Sequence, residues 1–430
     1  MNARVTFPHS CSRRATLLFF ALVAAFPCHA QTYTVIHQFS NGADGGAPIA
    51  GLTVAANDKF YGGASDGGQA GAGTTFQLQL KNSSWILTPL YTFSFNNEGS
   101  IGPNSRVLIG SDNSLYGTTY SQGVHGCQNN LGCGLVYKLR PLLSVCRSAL
   151  CYWTPTVLYT FSGNADGAYP EGDLIFGRSG VMYGTTFGGG NSGCQLGTGD
   201  NCGVVYSLTT AGGYTSLYTF QGGSDGSSPV SGVIEDQAGN LYGTTSEGGG
   251  QGCSGQGCGT VFELSPNGSG WTEKILYRFQ GGTDGAAPMA GLIFDAAGNL
   301  YGTTGRGGSG EGGTAFELTP SGGQWTFHLL YSFNGPAQGH DFPGPHASLA
   351  MDAAGNLYGT TMWDGANAQG AIFKLTLSGG SYSYTSLHDF TAGIDGAQPR
   401  SNVVFDAAGN MYGTASAGGT AEGVAWQIMP

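Results

Sequence analysis

The residues best suited to chemistry lie in two nearby segments of the chain. His340, Asp341 and His346 fall within seven residues of one another, and Trp363 and Asp364 follow a short distance later. Histidine and carboxylate side chains together can bind a metal ion or act as a general base and acid. An exposed tryptophan beside them offers a flat apolar surface on which a sugar ring can stack. These five residues are the candidate ligand-binding site. The alternative interpretation is a decorated loop without a function.

An acidic residue also recurs at one place along the chain. Six aspartates lie 17 residues before a Tyr-Gly pair and one glutamate lies 18 before, namely Asp44, Glu98, Asp166, Asp225, Asp284, Asp341 and Asp395. Around one axis they would form an electronegative funnel for a hard cation such as Ca²⁺, the one cofactor that the sequence suggests. Alternatively, each aspartate of the Asp-Gly pair caps its own loop by accepting backbone N–H bonds. Its recurrence in every repeat favours this second interpretation, because a binding site usually breaks the symmetry.

Motifs that would assign a reaction are missing from the sequence. It contains no HExxH and no GxSxG, and its Gly-Gly runs lack the Lys-Ser/Thr that phosphate binding requires. The arginines that a sialidase-type site would gather, Arg106, Arg306 and Arg400, belong to different repeats. Catalytic residues are therefore unknown, and whether the protein is an enzyme stays open.

The first thirty residues have the features of a secretory signal peptide. Arg4, Arg13 and Arg14 precede the apolar stretch Ala15–Phe26, and cleavage is predicted after Ala30. A twin-arginine signal is a second interpretation of the Arg13-Arg14 pair. Removing residues 1–30 takes away three arginines and no acid, so the net charge changes from -11 to -14. We expect an exported protein, periplasmic or extracellular, with no transmembrane segment and no nucleic-acid or anionic-membrane partner.

Eight cysteines remain after the signal peptide, in four local pairs. The short spacings predict the disulfides Cys127–Cys133, Cys146–Cys151, Cys194–Cys202 and Cys253–Cys258. Metal binding is the alternative, but it would require a second pair from elsewhere in the chain and a reducing compartment.

A sevenfold internal repeat dominates residues 31–430, which we interpret as one domain. The Tyr-Gly pair recurs every 54 to 67 residues, at Tyr61, Tyr116, Tyr183, Tyr242, Tyr301, Tyr358 and Tyr412. Each unit holds four apolar runs of strand length, here named A to D; in the fifth unit they are Gly291–Asp295, Asn299–Thr304, Thr314–Thr319 and Trp325–Phe333. Four-stranded units at this spacing are typical of propeller blades.

The two ends of the domain predict how the ring closes. Tyr33–Phe39 matches strand D, whereas the last unit ends after Gly423–Met429, which matches strand C. The N-terminal strand, residues 33–39, can therefore complete the C-terminal blade and remove the exposed sheet edges. The predicted fold is an all-β, seven-bladed β-propeller with four antiparallel strands per blade, and we expect a monomer.

The same residues carry a family resemblance. The pattern DGxxPxxGLIxDxxGNLYGTTxxGG, followed by GTVFxLTPSGG and LYxF, resembles the GloVer tandem repeat of exported bacterial proteins over nearly all of residues 33–429. Its DxxGNLYGT core is more loosely similar to the periplasmic propellers of two-component regulators. The resemblance implies an exported repeat protein and implies no particular activity.

Composition agrees with this architecture and leaves the ligand open. The chain has 78 glycines in 430 residues and only 10% charged residues, yet 12% of its residues are aromatic. Such an aromatic content opposes disorder, and so much glycine opposes helix bundles. We expect a binding or scaffolding module for a glycan, a surface polymer or a protein. The alternatives are a glycoside hydrolase or lyase with its site on the face of the D–A and B–C loops, and a structural cell-surface protein.

Overall fold

Seven four-stranded antiparallel sheets follow one another along the chain, as a computed structural model shows. It describes residues 31–430 except 95–101, 122, 124–125, 128–131, 142–151, 191–201, 251, 336–340 and 421, so the predicted signal peptide lies outside the described residues. This arrangement confirms the seven-bladed β-propeller.

The first three blades each take four consecutive strands. Blade 1 contains β2 (Leu52–Ala55), β3 (Lys59–Ala64), β4 (Thr74–Lys81) and β5 (Ser84–Thr92). Blade 2 contains β6 (Leu108–Ile109), β7 (Leu115–Thr119), β8 (Leu135–Arg140) and β9 (Thr154–Thr160). Blade 3 contains β10 (Ile175–Phe176), β11 (Met182–Thr186), β12 (Val204–Leu208) and β13 (Tyr214–Thr219).

The next three blades repeat this order. Blade 4 contains β14 (Ile234–Glu235), β15 (Leu241–Thr245), β16 (Thr260–Asn267) and β17 (Gly270–Arg278), with a 3₁₀ turn at Cys253–Gly255. Blade 5 contains β18 (Ile293–Phe294), β19 (Leu300–Thr303), β20 (Glu311–Ser321) and β21 (Gln324–Asn334). Blade 6 contains β22 (Ala350–Met351), β23 (Leu357–Thr361), β24 (Ala371–Ser378) and β25 (Ser381–Asp389).

Blade 7 joins the two ends of the domain. Its strands are β26 (Val404–Phe405), β27 (Met411–Ala415), β28 (Val424–Met429) and, as the outer strand, β1 (Thr32–Gln38). Strands β1 and β28 are antiparallel, with Tyr33 opposite Ile428 and Val35 opposite Trp426. The predicted closure of the ring by the N-terminal strand is therefore confirmed.

Strand A is only two residues long in blades 2 to 7, and in blade 5 it is shorter than the sequence suggested. In blade 5 the apolar run Gly291–Asp295 pairs only at Ile293 and Phe294. Strands C and D are longer than predicted, and the β20–β21 hairpin extends from Glu311 to Asn334. The pairing in each blade therefore lies mainly in its three outer strands.

A β-bulge recurs between strands C and D of all seven blades. In blade 4, Val261 pairs with Tyr277 and Phe262 pairs with Ile275, so Leu276 is the extra residue. A bulge leaves one residue unpaired and re-aims the side chains around it. Leu276 packs against the hydrophobic cluster between blades 4 and 5, of which Phe316 is a member. This explains how an LYxF strand can place apolar side chains at consecutive positions.

The hydrophobic core is divided among the spaces between neighbouring blades. Between blades 4 and 5, for example, Val261 and Tyr242 of one blade pack with Leu300 and Phe316 of the next. Seven clusters of this kind occur around the ring. Each sheet is therefore covered on both faces by its neighbours, which accounts for the low content of charged residues.

The aspartates of the A–B turns, among them Asp406, are turn residues. The Tyr412 hydroxyl donates to Oδ2 of Asp406 at 2.9 Å, and Oδ1 of Asp406 accepts the backbone N–H groups of Ala408 and Asn410 at 2.9 Å. Burial works to raise the pKa of the Asp406 carboxyl, but the hydrogen bonds from Asn410 and Tyr412 bring it below its ordinary value. The same turn occurs at Asp236, Asp295 and Asp352.

Candidate functional site

Five of the seven recurring acidic residues cap their own D–A loops. Asp284 accepts hydrogen bonds from the backbone N–H of Gln280 at 2.8 Å and from the Tyr277 hydroxyl at 3.1 Å. Asp166 and Asp225 accept equivalent bonds from a backbone N–H and a strand D tyrosine. For Asp44 and Asp395 the partner on strand D is a histidine instead of a tyrosine. His37 Nε2 lies 3.0 Å from Oδ2 of Asp44, and His388 Nε2 lies 3.1 Å from Oδ2 of Asp395.

These carboxylates are not brought together in the structure. Their partners lie on strand D, the outermost strand of each blade, and among the described residues no three histidine, cysteine, aspartate or glutamate side chains are grouped as metal ligands. Glu98 lies outside the described residues, and Asp341 is exposed. The arrangement fits the loop-capping interpretation, and a Ca²⁺ site stays a prediction.

The D–A loop that leads into blade 6 departs from this pattern. In the other D–A loops with a capping aspartate, that residue follows its tyrosine or histidine by seven positions, but Asp341 follows Tyr331 by ten. At the boundary of blades 2 and 3, Tyr159 stacks on Tyr214, with 4.3 Å between ring centroids, and the backbone oxygen of Asp166 accepts the Tyr214 hydroxyl. The corresponding pair Tyr331 and Tyr384 is also stacked, at 4.9 Å, but both rings line a cavity. The longer loop therefore coincides with an open pocket between blades 5 and 6.

This pocket, called here the blade 5–6 pocket, has a volume of about 460 Å³. It is formed by the end of β21, the loop between β23 and β24, and the end of β25, and is lined by Tyr331, Asn334, Gly335, Trp363, Asp364, Gly365, Ala366, Ala368, Tyr384, Ser386 and Asp389. Three aromatic side chains therefore share a concave surface with two carboxylates. The volume falls in the range of roughly 300–1,000 Å³ that is usual for small-molecule sites.

The loop between β23 and β24 holds the two carboxylates close to each other. Asp389 accepts hydrogen bonds from the Ser386 hydroxyl at 3.0 Å and from the backbone N–H of Ala366 at 3.3 Å. Gly365 has a φ of +94°, and a Cβ atom there would lie 2.7 Å from Oδ1 of Asp389. Glycine at this position thus allows the loop to approach Asp389 closely.

Electrostatically, the pocket favours ligands that are not anions. Burial, and then the neighbouring Asp389, raise the pKa of the Asp364 carboxyl, although the Gly365 N–H donates to it at 2.7 Å and lowers it. Burial, and then the same two carboxylates, raise the pKa of the Tyr384 hydroxyl well above its ordinary value. Tyr384 therefore stays protonated and can donate a hydrogen bond at any physiological pH.

The five residues singled out in the sequence take different places. Trp363 and Asp364 line the blade 5–6 pocket, whereas Asp341 is exposed and His340 lies outside the described residues. His346 is not among the lining residues, and its Nε2 lies 2.8 Å from the backbone oxygen of Phe342. Burial lowers the pKa of His346 to about 4, so its ring is neutral near pH 7.

Sequence reasoning missed Tyr331, Tyr384 and Asp389. A signal was present for Asp389, because strand D of blade 6 contains LHDF where four other blades contain LYTF or LYSF. The two tyrosines occupy ordinary positions of the repeat. Only the change in the neighbouring loop distinguishes them.

Two of the predicted disulfides lie within the described residues. Cys127 is bonded to Cys133, and Cys253 to Cys258. Cys202 is also disulfide-bonded, whereas Cys146, Cys151 and Cys194 lie outside the described residues. Such bonds are compatible with export to an oxidising compartment. In the part of the chain that the structure describes, no helix has the length and apolar character needed to cross a bilayer.

Solved structures that are similar to this chain share little sequence identity with it. The extracellular domain of a protein assigned as a hybrid two-component system from B. thetaiotaomicron is 14% identical, with a TM-score of 0.51, covering 92% of this chain and 39% of that one. A protein assigned as a 6-phosphogluconolactonase from Bacteroides uniformis is 13% identical, with a TM-score of 0.48, covering 86% and 89%. The PQQ-bound aldose sugar dehydrogenase of Streptomyces coelicolor is 10% identical, with a TM-score of 0.44, covering 93% and 98%. At these identities the likeness concerns the fold alone.

Family models give a more specific result, although no curated protein matches the chain. The Gloeobacter/Verrucomicrobia repeat model matches residues 21–255 and 193–427, two overlapping regions that together cover residues 21–427. These are the residues whose DxxGNLYGT turns and Tyr-Gly pairs build the blades described above. The chain belongs to the Gloeobacter/Verrucomicrobia repeat family.

Proposed function

We propose that this protein is an exported binding module that recognises a saccharide in the blade 5–6 pocket. The proposal rests on the side chains that line this pocket. They include three aromatic residues and two acidic ones, namely Tyr331, Trp363, Tyr384, Asp364 and Asp389. Aromatic rings offer apolar faces to the C–H surface of a sugar, while carboxylates and hydroxyls accept and donate hydrogen bonds to its hydroxyl groups. A glycan chain can extend from an open pocket on the loop face.

The charge of the pocket narrows the choice of saccharide. Two carboxylates lie in it, and the domain after signal cleavage carries a net charge of -14. Anionic polymers such as uronic-acid or sulfated chains would be repelled, since like charges brought together at low dielectric are costly. Neutral sugars and amino sugars are therefore the favoured ligands. We infer that the module acts outside the cytoplasm, because its disulfides and predicted signal peptide agree with export.

Binding to an array of neutral, amino and acidic glycans tests this proposal, followed by titration of the best ligand against variants. Trp363→Ala is expected to weaken binding at least about tenfold, equivalent to ~1.4 kcal/mol, because it removes a stacking surface. Trp363→Phe should keep most of the affinity, and Asp389→Asn should weaken binding by a similar factor. Asp58→Asn is the matched control, since Asp58 is exposed in the A–B turn of blade 1.

Two outcomes would contradict the proposal. One is the absence of binding to every glycan on the array. The other is a selected glycan that binds the Trp363→Ala and Asp389→Asn variants with the same affinity as the wild type. Metal content measured on the same protein checks the predicted Ca²⁺.

A hydrolase or lyase is the second candidate, favoured by the raised pKa of Asp364 beside a second carboxylate. Two neighbouring carboxyl groups, one acting as the acid and the other as the base or nucleophile, are typical of glycosidases. Release of new reducing ends from the bound glycan, lost in Asp364→Asn, would identify the enzyme. A stable complex without turnover would identify the binding module.

A further inference from the structure

The D–A loop of blade 6 carries a second departure from the repeat, beside the blade 5–6 pocket. Phe342 stands where five other D–A loops have the glycine of the Asp-Gly pair, namely Gly45, Gly167, Gly226, Gly285 and Gly396. Those glycines have φ between +89° and +103°, and Phe342 has a φ of +55°. A bulky side chain rarely adopts such a backbone conformation, and strained positions of this kind cluster at functional sites. The aromatic ring at this position therefore indicates a function.

Arg306, in the B–C loop of blade 5, packs on this ring. Its guanidinium carbon lies 5.0 Å from the centre of the Phe342 ring, within the range of a cation–π contact. The backbone of Arg306 is held by Ala286, whose N–H donates to the Arg306 oxygen at 2.8 Å and whose oxygen accepts the Arg306 N–H at 3.2 Å. Both the backbone and the guanidinium of Arg306 are thus fixed in position.

The guanidinium of Arg306 is not paired with another group of the described chain. Among the described residues it has no ion-pair partner within 4.0 Å, and its Nε is buried without an acceptor. Glu247 occupies the corresponding position of blade 4, and burial raises the pKa of its carboxyl, although Arg306 lowers it in part. The side chain of Arg306 as a whole is half-exposed. Its N–H groups are therefore available to a ligand.

This stacked pair adjoins the blade 5–6 pocket. The D–A loop of blade 6 lies between two B–C loops, because Gly344 N–H donates to the Gly305 oxygen at 3.0 Å and Trp363 N–H donates to the Pro343 oxygen at 3.0 Å. Backbone segments joined by such hydrogen bonds are about 4.8 Å apart, so the segments that carry Arg306 and Trp363 are roughly 10 Å apart. Neighbouring units of one oligosaccharide can span this distance.

The pocket and the stacked arginine favour ligands of different charge. Asp364 and Asp389 favour a neutral or cationic sugar in the pocket, whereas the unpaired guanidinium of Arg306 favours an anion. A guanidinium presents its N–H groups in a planar fork that matches the two oxygens of a carboxylate, and stacking on an aromatic face fixes that plane. A chain with an acid on every unit would still place a carboxylate in the pocket and be disfavoured there.

We propose that Arg306, stacked on Phe342, forms a second saccharide subsite that binds a carboxylate-bearing sugar joined to the sugar in the blade 5–6 pocket. This inference rests on the proposed function and specifies its ligand class. The ligands are oligosaccharides in which a neutral or amino sugar adjoins a carboxylate-bearing one. Arg306 binds the carboxylate, and Phe342 is a positioning residue for the guanidinium.

Binding of three tetrasaccharides to residues 31–430 tests this proposal. The first is a hyaluronan tetrasaccharide, in which an acidic and an N-acetylated sugar alternate. The second is the same tetrasaccharide with its carboxylates reduced to alcohols, and the third is tetragalacturonate, which is acidic at every unit. We expect the hyaluronan tetrasaccharide to bind at least about tenfold more tightly than the carboxyl-reduced one. Tetragalacturonate should bind no better than the carboxyl-reduced chain.

Variants separate the two subsites. Arg306→Gln should weaken binding of the hyaluronan tetrasaccharide about tenfold and leave the carboxyl-reduced chain unaffected, and Arg306→Lys should recover only part of the loss because it lacks the planar fork. Phe342→Leu should lower the preference for the acidic chain without changing the affinity for the reduced one. Trp363→Ala should weaken binding of both chains. Arg140→Gln, an exposed arginine at the end of β8, is the matched control.

Three results would overturn the inference. They are equal binding of the acidic and carboxyl-reduced chains, no binding of the hyaluronan tetrasaccharide at about 1 mM, and an Arg306→Gln variant that keeps the preference for the acidic chain at the wild-type melting temperature. If Trp363→Ala still weakens binding of the carboxyl-reduced chain, the proposed function stands while the subsite fails. A preference that requires Arg306 but is unchanged in Trp363→Ala would instead contradict the role of the pocket.

Discussion

Deleting residues 31–40 is expected to abolish the cooperative unfolding of the domain. The deletion removes β1, which supplies the outer strand of blade 7. Phe39 is fully buried and Ile36 is nearly so, and both belong to the cluster between blades 7 and 1. The Tyr33 hydroxyl also donates to the backbone oxygen of Asp395 at 2.6 Å, and the Thr420 hydroxyl to that of Phe39 at 3.0 Å.

The magnitude follows from the packing. Removing one large buried aromatic side chain costs roughly 3–5 kcal/mol, whereas whole domains are stable by only about 5–15 kcal/mol. Deleting Phe39, Ile36 and the six residue pairs between β1 and β28 therefore removes most of the free energy of unfolding. The deletion also leaves β28 as an exposed sheet edge, which favours aggregation.

Thermal melts and size-exclusion chromatography of the shortened protein measure this effect. Phe39→Ala should retain a cooperative transition at a lower temperature. Adding a peptide of residues 31–40 in trans should restore part of the lost stability, and the same peptide carrying Phe39→Asp should not. A shortened chain that melts cooperatively at the wild-type temperature would show that closure of the ring contributes little.

Closure of the ring was predictable because the complete repeat units show which strand the last unit lacks. A unit that ends at strand C and a chain that starts with a strand D are recognisable only against complete units such as residues 278–333. The length of strand A was not predictable in the same way. Its apolar run is continuous in sequence, but near the axis neighbouring loops crowd one another, and a Cβ atom on Gly291 would lie 2.6 Å from the Ser348 hydroxyl.

The candidate site was predictable where it departs from the repeat. Trp363 is the one aromatic residue at its position of the B–C loop, and Asp364 stands where five of the other six blades have glycine, so the sequence alone singles them out. Tyr331 and Tyr384 are the same aromatic pair that occurs at other blade boundaries, as in Tyr277 and Phe327. Their exposure to a pocket depends on the neighbouring loop, which no single repeat reveals.

Equivalent positions of the repeat illustrate a further limit. Glu171, His346 and Arg400 each follow the proline that precedes strand A in three separate units, and Glu171 precedes Arg400 by more than two hundred residues. Only the closure of seven blades into a ring arranges such positions around one axis. Equivalent positions of a closed repeat protein should therefore be compared around the ring as well as along the chain.

Gly302→Ala is expected to destabilise the domain by about 1–3 kcal/mol, the usual cost of inserting a methyl group into a filled core. Gly302 belongs to the Tyr-Gly pair of blade 5, and a Cβ atom there would lie 2.6 Å from Cζ of Phe316 and 2.9 Å from Cδ2 of Leu292. Phe316 is fully buried between blades 4 and 5, so its ring has no free space into which to move. The same contact recurs in blade 7, where a Cβ on Gly413 would lie 2.3 Å from Cζ2 of Trp426.

Gly270→Ala is the matched control for this substitution. Gly270 also lies in a strand, but its Cβ would meet only the backbone oxygen of Asn267 at 3.9 Å, and the position is exposed. Alanine there should change stability by less than about 0.5 kcal/mol, as surface substitutions usually do. Denaturant titration of both variants measures the difference, and the double variant Gly302→Ala with Phe316→Leu should recover part of the loss because the smaller side chain frees the space above residue 302. Equal stability of the two single variants would mean that the glycine of the Tyr-Gly pair is not required by the aromatic residue of strand C, and that the repeat keeps it for another reason.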